Sequence, residues 1–437
     1  MATTKNAKAT AKKVAAKKTT ARKTPAGASG RRKMFVRMYD VGFGDAFLVR
    51  ISRRNGELRI LFDCGSIQAS AAGGAMGNVV RKIIADVTDA DGVARIDVIV
   101  ATHRHKDHVS GFADDAWNAV EVKEVWMPWT EHPTDPQARR IRNLQSNLAL
   151  ALSAGLAAAP AAVDAAAQRA HSVAADLVAN ALMLSNDGAM KMLHSGFSGL
   201  PERRFLPSKA DDGRALVTAA LPGVRIHVLG PSRDPELIRD MDPPKGESFL
   251  RVRGAGLGGH GAAPAPFVPE FMLTQSVGAW TFSPDDQAAI EGAGGLSELA
   301  VAVALDKAVN GTSLMLILEV AGTLLLFPGD AQWGTWMAAL EDPHWRELLQ
   351  RVSFYKIGHH GSHNATPQTF VRDLLPRGCC AMASTLTRKI WPNIPRQELL
   401  TGLIAKAADV ARSDQPSAAT ARAFKVAPGV IEATVLL

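Results

Sequence analysis

The chain has 437 residues, 47% of them hydrophobic, enough for one large domain or two ordinary ones with a sizeable core. Its most membrane-like stretch, LALALSAGLAAAPAAV at 148–163, is short, weakly apolar and broken by Pro160, and no apolar signal segment follows Met1, so no spanning helix is expected. Cys64 and the adjacent Cys379 and Cys380 make neither a disulfide framework nor a zinc-knuckle spacing, which fits a reducing cytoplasm.

The net charge of +8 is unevenly placed: residues 1–33 hold 11 lysines and arginines and no acid, and +8 minus 11 leaves −3 on the rest. That Lys- and Ala-rich segment has no aromatic residue and too little apolar surface to offset the entropy of ordering, so it is expected to be a disordered tail. Clustered cations such as Lys12, Lys13, Lys17, Lys18, Arg22 and Lys23 attract polyanions by counterion release, which makes DNA or RNA the expected partner of the tail. A solubilising or address segment is the alternative.

From Met34 the rhythm is that of short strands: MFVRMYD, then DAFLVRIS after the turn VGFG, then LRILFDCG, a spacing that predicts hairpins. Residues 77–91 read as a helix, 96–101 as a buried strand running up to His103, and 123–127 as another strand. Residues 134–215 form an insertion whose Ala-rich part, 134–197, reads as helical, with Val173, Leu177 and Leu184 on one face. The strand VRIHVLG (224–230) is followed by a Gly- and Pro-rich loop over about 230–300; its GAGLGG lacks the strand-then-helix setting of a dinucleotide site. Strands return with TSLMLILEV, TLLLFPGD, VSFYKIG, CCAMAST and IEATVLL, with helices predicted from 332, near 367–375 and near 395–409. The strand-rich parts, 34–127 and 312–437, read as two halves of one α/β body.

Chemistry concentrates at strand ends. ATHRHKDHVSG (101–111) packs His103, His105, Asp107 and His108 into six positions; in an extended chain the first three share a side, with His108 on the turn beyond. Neutral imidazoles with a carboxylate suit zinc, iron or manganese. FDCG places Asp63 after a strand, FPGD places Asp330, and KIGHHGSHN places His359, His360 and His363, so six of the twelve histidines lie in two clusters. His227 reads as a structural mid-strand histidine, His171 and His260 as solvated. Trp126, Trp129, Trp333, Trp336 and Trp345 read as core rather than base-stacking residues.

The order Asp63, HRHKDH, Asp330, His359 resembles the metallo-β-lactamase superfamily. Within it, DVGFGDAFLV, NGTSLMLILEV, LLLFPGDA and KIGHHGSHNAT are similar to the hydrolase domain of the ComEC/Rec2 competence proteins, as are Ser384 and NIPRQELL. The resemblance covers roughly 34–127 and 312–437. It implies an α/β fold of the αβ/βα sandwich type over residues 34–437 and one or two divalent metal ions, zinc first and manganese as the alternative. It implies that His103 and His105 hold a first metal, that Asp107, His108 and His359 hold a second, and that Asp330 bridges them. Asp63 would orient the histidine loop, and Asp107 and His360 would serve catalysis, His360 as a donor to a developing oxyanion. Where the superfamily supplies a third histidine for the first metal, this chain has Asn310, a weaker ligand; His194 and His227 are the other candidates for that place. The expected activity is metal-dependent hydrolysis of a phosphodiester in DNA or RNA, with a small ester, lactone or thioester as a second substrate class and a non-catalytic metal-containing binding module as a third reading.

Overall fold

A computed structural model describes residues 33–437 except 55, 159–164, 182, 210–212, 214, 241, 245, 250–296, 390, 407 and 419–422. Of the expected basic tail, Lys12 to Lys23 thus lie outside the described residues, as do His260 and most of the Gly- and Pro-rich stretch.

Alternation along the strands builds the molecule. In β8 (Met315–Val320), Leu316 and Leu318 face one core while Met315 and Ile317 face another; in β9 (Thr323–Phe327), Leu325 and Phe327 take the first side, Leu324 and Leu326 the second. A strand apolar on both faces must be covered on both. Hence two sheets pack face to face, and helices cover their outer surfaces: an αβ/βα sandwich, the architecture that the resemblance implies. The inner layer is anchored by Phe47, Phe62, Phe327 and Phe354, with Phe62 stacked on Phe327 at 4.0 Å between ring centres.

The first sheet has eight strands in the order β13-β14-β1-β2-β3-β4-β5-β6. They are β1 (Lys33–Tyr39), β2 (Phe47–Arg53), β3 (Gly56–Phe62), β4 (Arg95–Val100), β5 (Glu121–Pro128), β6 (Glu202–Leu206), β13 (Phe424–Ala427) and β14 (Val430–Leu436). The second has six, β12-β11-β10-β9-β8-β7, adding β7 (Val224–Gly230), β10 (Val352–Lys356), β11 (Cys380–Ala383) and β12 (Asp409–Arg412). Each sheet is part antiparallel and part parallel: β3, β4, β5 and β6 run parallel, and so do β9, β10, β11 and β12. The hairpin rhythm therefore accounts for only one side of each sheet. Loops that leave parallel strands at their carboxyl ends gather along one edge, where binding crevices form in open sheets.

Helix α1 (Met76–Asp86) covers the first sheet, and the four-residue helix α2 (Lys106–Val109) follows β4. The predicted insertion yields α3 (Pro136–Ala158), α4 (Ala165–Ala181) and α5 (Met183–Ser195). Several boundaries differ from the sequence reading; the helix predicted over 77–91 already ends at Asp86. The predicted insertion range, 134–215, includes β6, whose ladder to β5 makes it part of the first sheet. The range 230–300 ends in a helix, Ser297–Asn310, that packs with α3 and α4 around Leu152, Leu177 and Leu305. The helix predicted to reach 409 stops at Ala405, because Asp409–Arg412 pairs in parallel with β11. The strand predicted to run up to His103 ends at Val100. Among the described residues, no helix is long and apolar enough to cross a membrane.

Candidate metal centre

The HRHKDH segment leaves β4 extended through His105 and then turns helical, so Asp107 and His108 are presented from successive positions of α2 rather than along an extended chain. Backbone bonds hold it: the amide of Asp45 donates to the Asp107 carbonyl at 2.9 Å and that of Cys64 to the His108 carbonyl at 2.8 Å. The glycine of FDCG is sterically required here, because a Cβ on Gly65 would stand 2.6 Å from the backbone of Asp107 and His108. Arg104, the residue between the first two histidines, is buried and makes a two-pronged ion pair with the buried Glu131, at 2.9 and 2.7 Å.

On the facing side, Asp330 follows β9, and His359 and His360 follow β10. Both histidines take left-handed backbone angles, φ 44° and 53°, so the chain reverses sharply and keeps two consecutive rings at the edge. The structure thus brings together His103, His105, Asp107, His108, Asn310, Asp330, His359 and His360, from four separate stretches of sequence.

The donors form two groups. In the first, His103 Nε2 lies 3.1 Å from His105 Nδ1, which lies 2.9 Å from Asn310 Oδ1. The Asn310 amide nitrogen donates to Asp306 Oδ2 at 3.1 Å, which turns its oxygen toward His105. In the second, His108 Nε2 lies 3.1 Å from Asp330 Oδ2 and 3.9 Å from Asp107 Oδ1, and His360 Nε2 lies 3.1 Å from Asp107 Oδ2 and 3.9 Å from Asp330 Oδ2. His359 stands between the groups, its Nε2 3.5 Å from the Asn310 amide nitrogen and 3.9 Å from Asp330 Oδ2, with Ser362 Oγ 3.1 Å from its Nδ1. The sequence reading gave His359 to the second metal and His360 to an oxyanion; the geometry puts His360 among the carboxylates and His359 beside Asn310. Two successive left-handed residues give the adjacent rings different neighbours, Asp107 for His360 and Asn310 for His359, which spacing alone does not reveal.

The donor chemistry fits a divalent cation. His360 Nδ1 lies 2.9 Å from the Ser384 carbonyl, an acceptor only, so Nδ1 carries the hydrogen; His108 Nδ1 likewise faces Asp63 Oδ2 at 2.8 Å. In each ring the neutral form would then aim the lone pair of Nε2 at the carboxylates of Asp107 and Asp330. Such an arrangement needs a cation or a second proton. Asp107 Oδ1 is buried without a hydrogen-bond partner. The buried ammonium of Lys356 pairs with Asp45 and sits 3.3 Å from Asp330 Oδ1, while the buried carboxylates of Asp63 and Asp107 have only imidazoles as ion-pair partners among the described residues. Protonated imidazoles or metal ions must offset the charge that remains.

Electrostatics separate the groups. Burial, then the neighbouring imidazole of His108, holds His103 well below the usual imidazole range; burial pushes His105 down to about 4. His108 is the reverse: burial would lower it, but Asp330, Asp107 and Asp63 raise it well above the usual range. His360 is raised as well, its burial outweighed by the hydrogen bond to Asp107 and by Asp45 and Asp330. Asp330 is held well below the usual carboxylate range because His108, Lys356 and His359 outweigh its burial.

Behind the donors, Asp63 accepts from the Thr102 amide at 2.7 Å and from the Thr102 hydroxyl at 2.8 Å, while receiving His108 Nδ1–H. That is the carboxylate partner that metal-binding imidazoles need for the ring nitrogen facing away from the metal. Residues that sequence reasoning passed over are Asp45, Lys356, Thr102, Asp306 and the insertion's Asn180 and Asn186. Two had a signal: Asp45 lies in DVGFGD, and Lys356 ends a largely apolar strand three residues before HH. His227 and His194 stay outside. His227 is buried with Nε2 2.9 Å from Glu319 Oε2, and His194 stacks on Phe205. Trp126, Trp129 and Trp336 are fully buried, while Trp333 and Trp345 pack partly buried against the outer core of the second sheet.

No family model matches the chain, and no curated protein matches it. Among solved structures it is similar to the Zn2+-bound PqqB from Methylobacterium extorquens, at 10% identity over 85% of each chain with a TM-score of 0.36.

Proposed function

We propose that this chain is a metal-dependent hydrolase of the metallo-β-lactamase type that cleaves phosphodiester bonds in nucleic acid. The observation that carries the hydrolase reading is the commitment of His108 and His360 through Nδ1, which leaves both Nε2 atoms facing Asp107 and Asp330. His103, His105 and Asn310 would hold one ion, and Asp107, His108, Asp330 and His360 the other. Bound there, divalent ions supply Lewis acidity and lower the pKa of coordinated water toward about 7. The chain does the rest. Asp63, Ser384 and Asp306 fix ring and amide orientation. Lys356 and the His359 amide, 3.1 Å from Asp330 Oδ1, hold that oxygen so that Oδ2 faces the donors. His359 is 13% exposed, against at most 1% for His103, His105, His108 and His360, and Ser362 holds its ring at Nδ1; burial favours its neutral form, so it is placed to move a proton at Nε2.

Two features support nucleic acid as the substrate: the resemblance to the competence-protein hydrolase domain and the 11 basic residues within 1–33. The near-complete burial of His103, His105, His108 and His360, each at most 1% exposed, instead favours a small ester, lactone or thioester. Incubating the full chain with Mn2+ or Zn2+, single-stranded DNA and a generic ester separates the readings. DNA should be cut by the wild type and left intact by the His103→Ala, Asp107→Ala double variant. Removal of residues 1–33 should weaken DNA binding and flatten its salt dependence. Ester turnover with intact DNA would establish the second class, and no turnover by fully metal-loaded protein would establish a binding module.

A further inference from the structure

The insertion touches the metal loop at two points, and the helix Ser297–Asn310 that packs on it touches the loop at a third. Asn186 of α5 donates its side-chain amide to the carbonyl of Arg104 at 2.8 Å. Asn310, the last residue of the helix Ser297–Asn310, places its oxygen 2.9 Å from His105 Nδ1. Asn180 of α4 accepts from the amide of Asp107 at 3.2 Å. This last contact repairs a local defect. Helix α2 begins after His105, whose side chain makes no capping bond, so the first-turn amide of Asp107 has no partner within its own helix. Asn180 supplies that partner from outside. Asparagine is a poor helix former, yet Asn180 and Asn186 sit inside helices and are 4% and 2% exposed, so their polar ends serve tertiary contacts. Asn180 and Asn310 are also tied to each other, because α4 packs against the helix Ser297–Asn310 through Leu177, Val178, Leu305 and Val309.

We propose that the helical insertion is the clamp that sets the HRHKDH loop for metal, with Asn180 and Asn186 as positioning residues. The inference rests on the metal reading of the site and assigns a task to a segment outside the resemblance. Oxygen and nitrogen donors on a loop must be held to fractions of an ångström, and groups that support them from behind typically govern metal affinity tenfold to a hundredfold.

The test measures Zn2+ affinity of the full chain by chelator competition, alongside the thermal midpoint of metal-free protein. Asn180→Leu and Asn186→Leu should each raise the Zn2+ dissociation constant about tenfold to a hundredfold. Asn180→Asp, which keeps the acceptor oxygen, should stay within about threefold of wild type. Asn180→Ala and Asn186→Ala are measured in parallel, so that a leucine variant that fails to fold leaves the answer to a milder one. Lower metal-free midpoints with unchanged Zn2+ affinity would overturn the clamp and leave a merely structural role. A wild-type chain that takes up no Zn2+ would instead overturn the metal reading beneath it.

Discussion

The two donor groups sit side by side and obey opposite electrostatics. His103 and His105 have each other, an amide and the next imidazole nearby, and although Asp306 Oδ1 lies 3.7 Å from His105 Nε2, burial outweighs the carboxylates and drives both rings neutral. His108 and His360 face carboxylates, and the same burial is outweighed. A neutral trio of ligands gains a cation only through lone pairs. The carboxylate group gains it through lone pairs and charge, in a medium where charge is poorly screened. The comparison teaches that filling should be sequential: the ion beside Asp107, Asp330 and His360 binds first and tightly, the ion beside Asn310 later and weakly.

The largest effect should come from exchanging which of two adjacent histidines is removed. His360→Ala should strip the tighter metal equivalent in elemental analysis and take activity with it. His359→Ala should keep that equivalent and lower kcat by about 10² to 10⁴, the usual contribution of a positioned acid–base group. Equal metal loss in both variants would erase the distinction drawn between them.

Next is Lys356→Met. Removing the one ammonium that serves Asp45 and Asp330 leaves buried carboxylates uncompensated, which costs about 3–5 kcal/mol in comparable cases. Urea denaturation should show that loss in metal-free protein and recover much of it on adding Mn2+, since a divalent ion offsets the same charges. A loss indifferent to metal would mean that Lys356 acts through packing alone.

Asn310→His should give the smallest change, raising the weaker metal affinity by about tenfold, with the tighter one unmoved, since imidazole is a better ligand than an amide. Titration calorimetry with Zn2+ resolves the two steps. A rise in the tighter step would reverse the order of filling.

Much of the site was legible because its residues are unusual where they stand. Histidines and aspartates directly after apolar runs are improbable as surface polarity, so Asp63, HRHKDH, Asp330 and HHGS declare themselves. Lys356 was half legible, as a charge ending a buried strand. Asn180 and Asn186 were not legible at all, because an asparagine in an Ala-rich helix looks the same whether it faces water or a neighbouring loop. The place of His360 beside Asp107 likewise depends on two left-handed residues, which a spacing does not encode.

By itself, then, the sequence determined which residue types carry the chemistry, where most strands run, and where the positive charge lies. Those properties are local, set by side-chain identity and the two-residue period of a strand. The tertiary structure decided what no local pattern holds: the parallel side of each sheet, the convergence of donors from four stretches of chain, and the reach of the insertion into the metal loop. All three arise from contacts between residues far apart in sequence, and their energies depend on burial shared among elements rather than on any one of them.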